Sequence, residues 1–202
     1  MTKSTYLFIE SIFIKNGVPL NIDWHQKRVV NTFIKFFPNN TPINLSEIIN
    51  QKDFLQDILQ KCRITYSYDI QKIEYDTFVP RKINSLKIIK SDEFDYSFKY
   101  AERATLELLR GKRGNCDDIV ISINGYLKDS SFANIVLFDG DNYYTPDPPL
   151  LFGTKRAQLI EKRIIKPTPI KENELYKFKE LHLINALADI GDYVIKINNV
   201  FY

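Results

Sequence analysis

The stretch IVISINGYLKDSSFANIVLF, residues 119–138, sets the fold class. Ile119 to Ile123 is an apolar, β-branched run. Asn124-Gly125 is the dipeptide that a two-residue hairpin favours, because both of its central positions take positive φ. Ile135 to Phe138 reads as a further strand. Toward the C-terminus, Asp139-Gly140-Asp141-Asn142 turns the chain into a strand at Tyr143 to Thr145, and Pro146 to Pro149 forms a stiff loop. Beyond it the pattern predicts a helix from Lys155 to Arg163, a helix-like segment at Glu172 to Phe178, a strand at Glu180 to Ile184 and a hairpin through Asn198-Asn199. This half of the chain is rich in strands and hairpins.

Toward the N-terminus, Tyr96 to Leu109 has helical spacing, closed by Gly111 and Gly114. A strand at Leu86 to Lys90 lies in the crossing between two lobes. Thr5 to Ile14 reads as a strand, and Asn16-Gly17 returns the chain through Val18 to Ile22. Asp23 is placed to cap a helix from Trp24 to Phe36, which Pro38 stops. Leu45 to Lys61 reads as helical, and Cys62 to Tyr68 with Ile70 to Thr77 as an antiparallel pair. The expectation is an α+β protein of two lobes, a small α+β lobe at 1–85 and a larger, strand-rich one at 86–202.

Composition bounds the function. The 202 residues are 44% hydrophobic, enough to fill a core and to exclude a disordered or fibrous chain. A net charge of +3 is too small to argue for nucleic acid, and suits a pocket for a small anion. Two cysteines and two histidines build neither a disulfide framework nor a zinc motif, so no metal is expected. With no signal-like or membrane-spanning apolar run, the expectation is a soluble, cytoplasmic protein with no membrane partner.

Three features carry chemistry. Lys99, within Phe98-Lys99-Tyr100-Ala101, reads either as a snorkelling surface lysine or as an amine desolvated by its aromatic neighbours and so nucleophilic. Asp129, just beyond a hairpin strand and followed by Ser130, Ser131 and Asn134, is either an ordinary turn or cap residue or a carboxylate facing a cationic ring nitrogen. Leu151-Phe152-Gly153-Thr154-Lys155-Arg156 opens a helix whose free N–H groups can cradle phosphate, although glycine precedes many helices that bind nothing. Arg28, in His25-Gln26-Lys27-Arg28, is a solvent-facing charge or a fork for the same anion. His25 reads as an orienting or structural histidine. An amine nucleophile, a ring-nitrogen carboxylate and a phosphate cradle are together what pyridoxal phosphate needs.

In these same blocks, and in the same order, the chain resembles the class IV aminotransferase family of fold-type IV pyridoxal-phosphate enzymes. That family includes branched-chain and D-amino-acid aminotransferases and 4-amino-4-deoxychorismate lyases. The resemblance runs from Phe8-Ile9-Glu10-Ser11 almost to the C-terminus. It implies a two-lobed fold with a barrel-like second lobe that carries the Schiff-base lysine, Lys99. His25 to Val29 resembles the segment whose arginine binds the cofactor phosphate, which implies that role for Arg28. Gly125 to Asn134 resembles the block whose acidic residue pairs with the pyridine nitrogen, which implies Asp129 there and Asn134 in support. Tyr144-Thr145-Pro146 with Leu151 to Arg156 implies Thr154 and Lys155 at the phosphate. Leu183 to Leu187 resembles a second phosphate-contacting turn, which implies main-chain contacts at Asn185 and Ala186.

This chain departs from the family pattern in Asp129, where glutamate is usual, and in Lys155 and Ala186, where threonine is frequent. It is also short, beginning almost at the strand that carries Glu10. The Asn185-Ala186-Leu187 form and the compact chain tilt the implied activity toward a lyase that converts 4-amino-4-deoxychorismate to 4-aminobenzoate and pyruvate. The alternatives are an aminotransferase acting on a branched-chain or D-amino acid and a non-catalytic homologue. Arg103 is expected to support the site and Arg81 to meet a substrate carboxylate. A small amino substrate and a homodimer complete the expectation.

Overall fold

The computed structural model describes residues 6–49 and 58–202. They fall into two compact units, one within Met1–Pro80 together with Phe98–Glu102, the other Arg81–Ser97 with Arg103–Tyr202.

The first unit is a four-stranded antiparallel sheet with helices. β1 (Phe8–Lys15) turns through Asn16-Gly17, both at positive φ, into the short β2 (Val18–Pro19), as the hairpin dipeptide requires. α1 (Ile22–Phe36) and α2 (Leu45–Ile49) follow, then β3 (Gln60–Tyr66) and β4 (Ile70–Thr77), in sheet order β2-β1-β3-β4. α1 starts earlier than Trp24. Its N-cap is Asn21 in the left-handed region, and Asp23 lies inside the first turn, where its charge suits the helix dipole. Of the helix expected over Leu45 to Lys61, Gln60 and Lys61 belong to β3, and residues 50–57 lie outside the described residues. Phe8, Ile12, Ile14, Val29, Phe33, Leu45 and Ile64 fill the core of this unit.

The helix expected from Tyr96 is shorter than its pattern. Residues 98–101 instead run beside β1, with Ile9 N–H donating to the Lys99 carbonyl at 3.0 Å and Ala101 N–H to the Leu7 carbonyl at 2.8 Å. Phe98 and Tyr100 pack on the first core, which is why Lys99 groups with the first unit although it lies within 86–202. Pairing with a neighbouring strand outcompetes the helical spacing there.

The second unit is a nine-stranded mixed sheet. β5 (Leu86–Ser91), α3 (Ala104–Gly111), β6 (Asp118–Ile123), β7 (Tyr126–Ser130), β8 (Asn134–Phe138) and β9 (Tyr143–Pro146) lead to α4 (Thr154–Glu161), and then β10 (Ile165–Thr168), β11 (Glu180–Ile184), β12 (Val194–Lys196) and β13 (Val200–Phe201) complete it. The main path is β10-β9-β8-β7-β6-β5-β13, with β11 joining β8 to β12. Asn124 and Gly125 both take positive φ in the β6–β7 hairpin. The segment at Glu172–Lys177 is a 3-10 helix. Asn198-Asn199 is no hairpin: it ends a second 3-10 turn, after which β13 pairs in parallel with β5. Leu159 of α4 packs with Val136, Ile165 and Ile184, which fixes the helix start relative to β8 and β11.

Candidate active site

In the first unit the chemistry gathers on one face of β1. Phe8, Glu10, Ile12 and Ile14 alternate onto the core and are all fully buried, so Glu10 is a carboxylate in an apolar row. Such a charge is tolerated only when paired and hydrogen-bonded. α1 supplies the partners one turn apart. Arg28 Nε donates to Glu10 Oε1 at 2.8 Å and Nη2 to Oε2 at 2.5 Å, while His25 Nδ1 lies 2.6 Å from Oε2. Burial pushes the Glu10 carboxyl up, but the Arg28 charge and hydrogen bond, with help from His25, overcome that and hold it at about 2. Burial pushes His25 below its ordinary range, against the pull of Glu10, and the charges of Arg28 and Lys99 add to the lowering. His25 Nε2 has no hydrogen-bond partner among the described residues, an omission that costs about 1–3 kcal/mol if nothing fills it. Lys99 is half-buried.

The second unit gathers the remaining candidates around Asp129, at the end of β7. Its Oδ1 accepts from Asn134 Nδ2 at 2.8 Å, and its Oδ2 from the N–H groups of Leu150 at 3.1 Å and Leu151 at 2.9 Å. Burial raises its carboxyl to about 6, against the lowering effect of these bonds and of the Arg156 charge. Asn134 also donates to the Leu151 carbonyl at 2.9 Å, which ties the loop before α4 to the start of β8. Gly153 is required there, since a Cβ on it would stand 2.0 Å from Asn134 Oδ1. Thr154, buried, is the first residue of α4, so its hydroxyl and the unpaired N–H groups of the first turn start from a fixed point.

Lys155 directs its ammonium to Asp189 Oδ2 at 2.7 Å. Asn185 and Ala188 exchange backbone bonds at 3.1 and 3.2 Å, and Asn185 Oδ1 accepts from Leu187 N–H at 2.8 Å, so the Asn185–Ala186 turn is rigid and sits four residues or fewer from the Lys155 partner. Arg103 Nη2 donates to the Ser131 carbonyl at 2.7 Å, and Ser131 Oγ to the buried Asp118 at 2.9 Å, which braces the turn after Asp129. Arg81 lies with its guanidinium 5.4 Å from the Phe132 ring centre.

The structure thus groups Arg28 and Lys99 in the first unit, and Asp129, Asn134, Thr154, Lys155, Asn185 and Ala186 in the second. Sequence reasoning missed three members. Glu10 was signalled by a lone acid in the alternating row Phe8-Ile9-Glu10-Ser11-Ile12. Arg156, which donates to the Pro146 carbonyl and to Asp147, was signalled as the arginine that closes the Leu151 to Arg156 block, whereas Asp189 had no local signal. Among the described residues no cluster of three His, Cys, Asp or Glu is placed to hold a metal ion, and no helix is long and apolar enough to cross a membrane.

Residues 96–192 match the family model for amino-transferase class IV. An uncharacterized protein of Haemophilus influenzae is 32% identical over 184 residues, covering 90% of this chain and 98% of that protein. A crystal structure from Haemophilus somnus, of a protein provisionally named a 4-amino-4-deoxychorismate lyase, is 31% identical and covers 93% of this chain and 98% of its own, with a TM-score of 0.86. A hypothetical aminotransferase from Mycobacterium tuberculosis, solved in a PLP-bound form, shares the fold at a TM-score of 0.70 and 13% identity, covering 98% of this chain and 82% of its own. The first unit's small sheet and the second unit's larger mixed sheet are the fold-type IV arrangement, and the chain belongs to the class IV aminotransferase family, whose members are mostly pyridoxal-phosphate enzymes.

Proposed function

We propose that this protein is a pyridoxal-phosphate-dependent lyase that converts 4-amino-4-deoxychorismate to 4-aminobenzoate and pyruvate. The observation that carries the reaction is the end-to-end likeness, at 31% identity, to the provisionally named Haemophilus somnus lyase. The donor set supports the cofactor. A carboxylate offers about four acceptor positions, and Asp129 uses three, which leaves one on Oδ1 for a ring N–H. The start of α4 offers unpaired N–H groups and the Thr154 hydroxyl to a phosphate.

When bound, the cofactor supplies an electron sink for the substrate's amine-bearing carbon. Lys99 would hold it through its aldehyde and, once an incoming amine releases that bond, hold and move a proton at Nζ. Asp129 would keep the ring nitrogen protonated. Arg28, Thr154, Lys155 through its main-chain N–H, Asn185 and Ala186 would anchor the phosphate, and Asn134 would hold Asp129 in place. The homodimer belongs to the same proposal and is read by sedimentation of the loaded protein.

A second reading, a non-catalytic homologue, draws on Lys155: its ammonium is engaged by Asp189, and Ala186 offers no hydroxyl. The test is a visible spectrum after incubation with pyridoxal phosphate and removal of the excess, comparing wild type with Lys99→Ala. A lysine-bound cofactor band in the wild type alone is expected; its absence from both favours the non-catalytic homologue. The loaded wild type is then given 4-amino-4-deoxychorismate with no oxo-acid acceptor. Pyruvate release supports the lyase, whereas strict dependence on an acceptor replaces it with an aminotransferase.

A further inference from the structure

β4 (Ile70–Thr77) is the outer strand of the first sheet, and among the described residues it pairs with β3 alone. It holds neither proline nor glycine, and it leaves Ile70 and Ile73 each 38% exposed. Such an edge is a template for another strand unless something blocks it. Phe78 N–H donates to the Leu59 carbonyl at 2.7 Å, and the β3–β4 pairing runs in unbroken register from there to Lys72 opposite Thr65. Backbone groups alternate along such a ladder, so Lys72, Glu74 and Asp76 turn theirs to β3, and Ile73 turns its N–H and C=O outward. Side chains alternate as well. Lys72, Glu74 and Asp76 stand opposite Thr65, Arg63 and Lys61 on the face away from the core, whereas Ile73 stands opposite the buried Ile64.

Two copies of this edge related by a two-fold axis pair antiparallel. The axis must fall on a residue and not between two, because outward-facing groups have to meet outward-facing groups. Centred on Lys72, Glu74 or Asp76, the register sets that charge against itself. Centred on Tyr75, it sets Glu74 against Asp76. Centred on Ile73, it sets Lys72 of each copy against Glu74 of the other, in the closer-spaced pairs that carry no backbone bonds, and Ile73 against Ile73 on the opposite face. We propose that β4 pairs edge to edge with β4 of a second copy of this chain, the two-fold axis passing through Ile73, so that the two small sheets become one. The pairing names a surface for the homodimer proposed above and rests on that homodimer forming; it is independent of the cofactor. A lysine in mid-edge ordinarily protects a strand from such pairing, and here Glu74, two residues on, converts it into a contact. The two already pair within the strand at 2.7 Å, so the second copy completes a square of alternating charges.

Sedimentation equilibrium of the full-length protein, with and without pyridoxal phosphate, tests the pairing. Lys72→Glu and Glu74→Lys each oppose like charges across the axis and should raise the dimer dissociation constant about three- to tenfold, while the double variant that exchanges the two should restore it. The two single variants mixed in equal amounts should associate as the wild type does, since each then meets the opposite charge in the other. Ile73→Pro removes an outward N–H and no bond to β3, which an edge strand tolerates, and should leave a folded monomer. A mixture no tighter than its components overturns the register. A dimer indifferent to the single variants and to Ile73→Pro overturns the pairing and leaves the homodimer on another surface, whereas a wild type that stays monomeric overturns both.

Discussion

Gly153 is the residue on which the loop around Asp129 turns. Its φ is ordinary, so the need for glycine is one of space. A methyl group there meets Asn134 Oδ1 at 2.0 Å and Cγ at 3.2 Å, and Asn134 cannot retreat without dropping its bonds to Asp129 and to the Leu151 carbonyl. Gly153→Ala is therefore expected to cost about 1–3 kcal/mol, a lowering of several degrees in thermal midpoint, and to weaken pyridoxal phosphate binding in parallel. Differential scanning calorimetry with a cofactor titration checks this; a variant as stable as the wild type would show that the loop relaxes freely. At the same scale, Asp129 has a consequence for its shortness. The carboxylate accepts directly from the Leu150 and Leu151 N–H groups, so the shorter side chain suffices for both bonds.

Among the elements, α4 and the turn after β11 are joined by one ion pair, Lys155 to Asp189. The resemblance gives Lys155 to the phosphate, but its ammonium is held by a carboxylate in the same unit. Two behaviours can be told apart. If the pair acts as a clasp that keeps the Asn185–Ala186 turn against the start of α4, Asp189→Asn loosens the cradle and weakens pyridoxal phosphate affinity about two- to fivefold, the range of a partly exposed pair. If Lys155 instead contacts phosphate, Asp189→Asn frees the ammonium and tightens binding. Fluorescence titration reads the sign, and the expected sign is a loss. The elements also show what the sequence carried. Asn-Gly dipeptides at 16–17 and 124–125 located the β1–β2 and β6–β7 hairpins because local sterics alone decide those two turns. The segment around Lys99 misled, since its helical spacing is overruled by pairing with β1, and a pairing partner ninety residues away leaves no local mark. Asp129 and Asn134 stood out through their spacing beyond a hairpin, whereas Asp189 came to Lys155 only through the packing of α4.

For the whole molecule, the two buried carboxylates tilt stability in opposite directions with pH. Glu10 is held at about 2, below the ordinary carboxyl value of 4.5, so its contribution is complete above 4.5 and is lost as pH falls through about 2. Asp129 is raised from 3.8 to about 6, so its contribution is complete below 3.8 and is lost as pH rises through about 6. Each shift is worth roughly 3 kcal/mol, at 1.4 kcal/mol per pH unit. His182, which burial holds below its ordinary range, contributes a background that is lost as pH falls, and that background cancels when a variant is subtracted from the wild type. The stability gap between wild type and Asp129→Asn should therefore widen from pH 7 to pH 4. The gap between wild type and Glu10→Gln should be widest at neutral pH and narrow from pH 4.5 downward. Urea midpoints of the three proteins at a series of pH values measure both gaps. Gaps that run in parallel would mean that one of the two carboxylates is not in the state its hydrogen bonds and burial dictate, and the Glu10–Arg28 pair, with its direct bidentate geometry, is the one expected to survive that test.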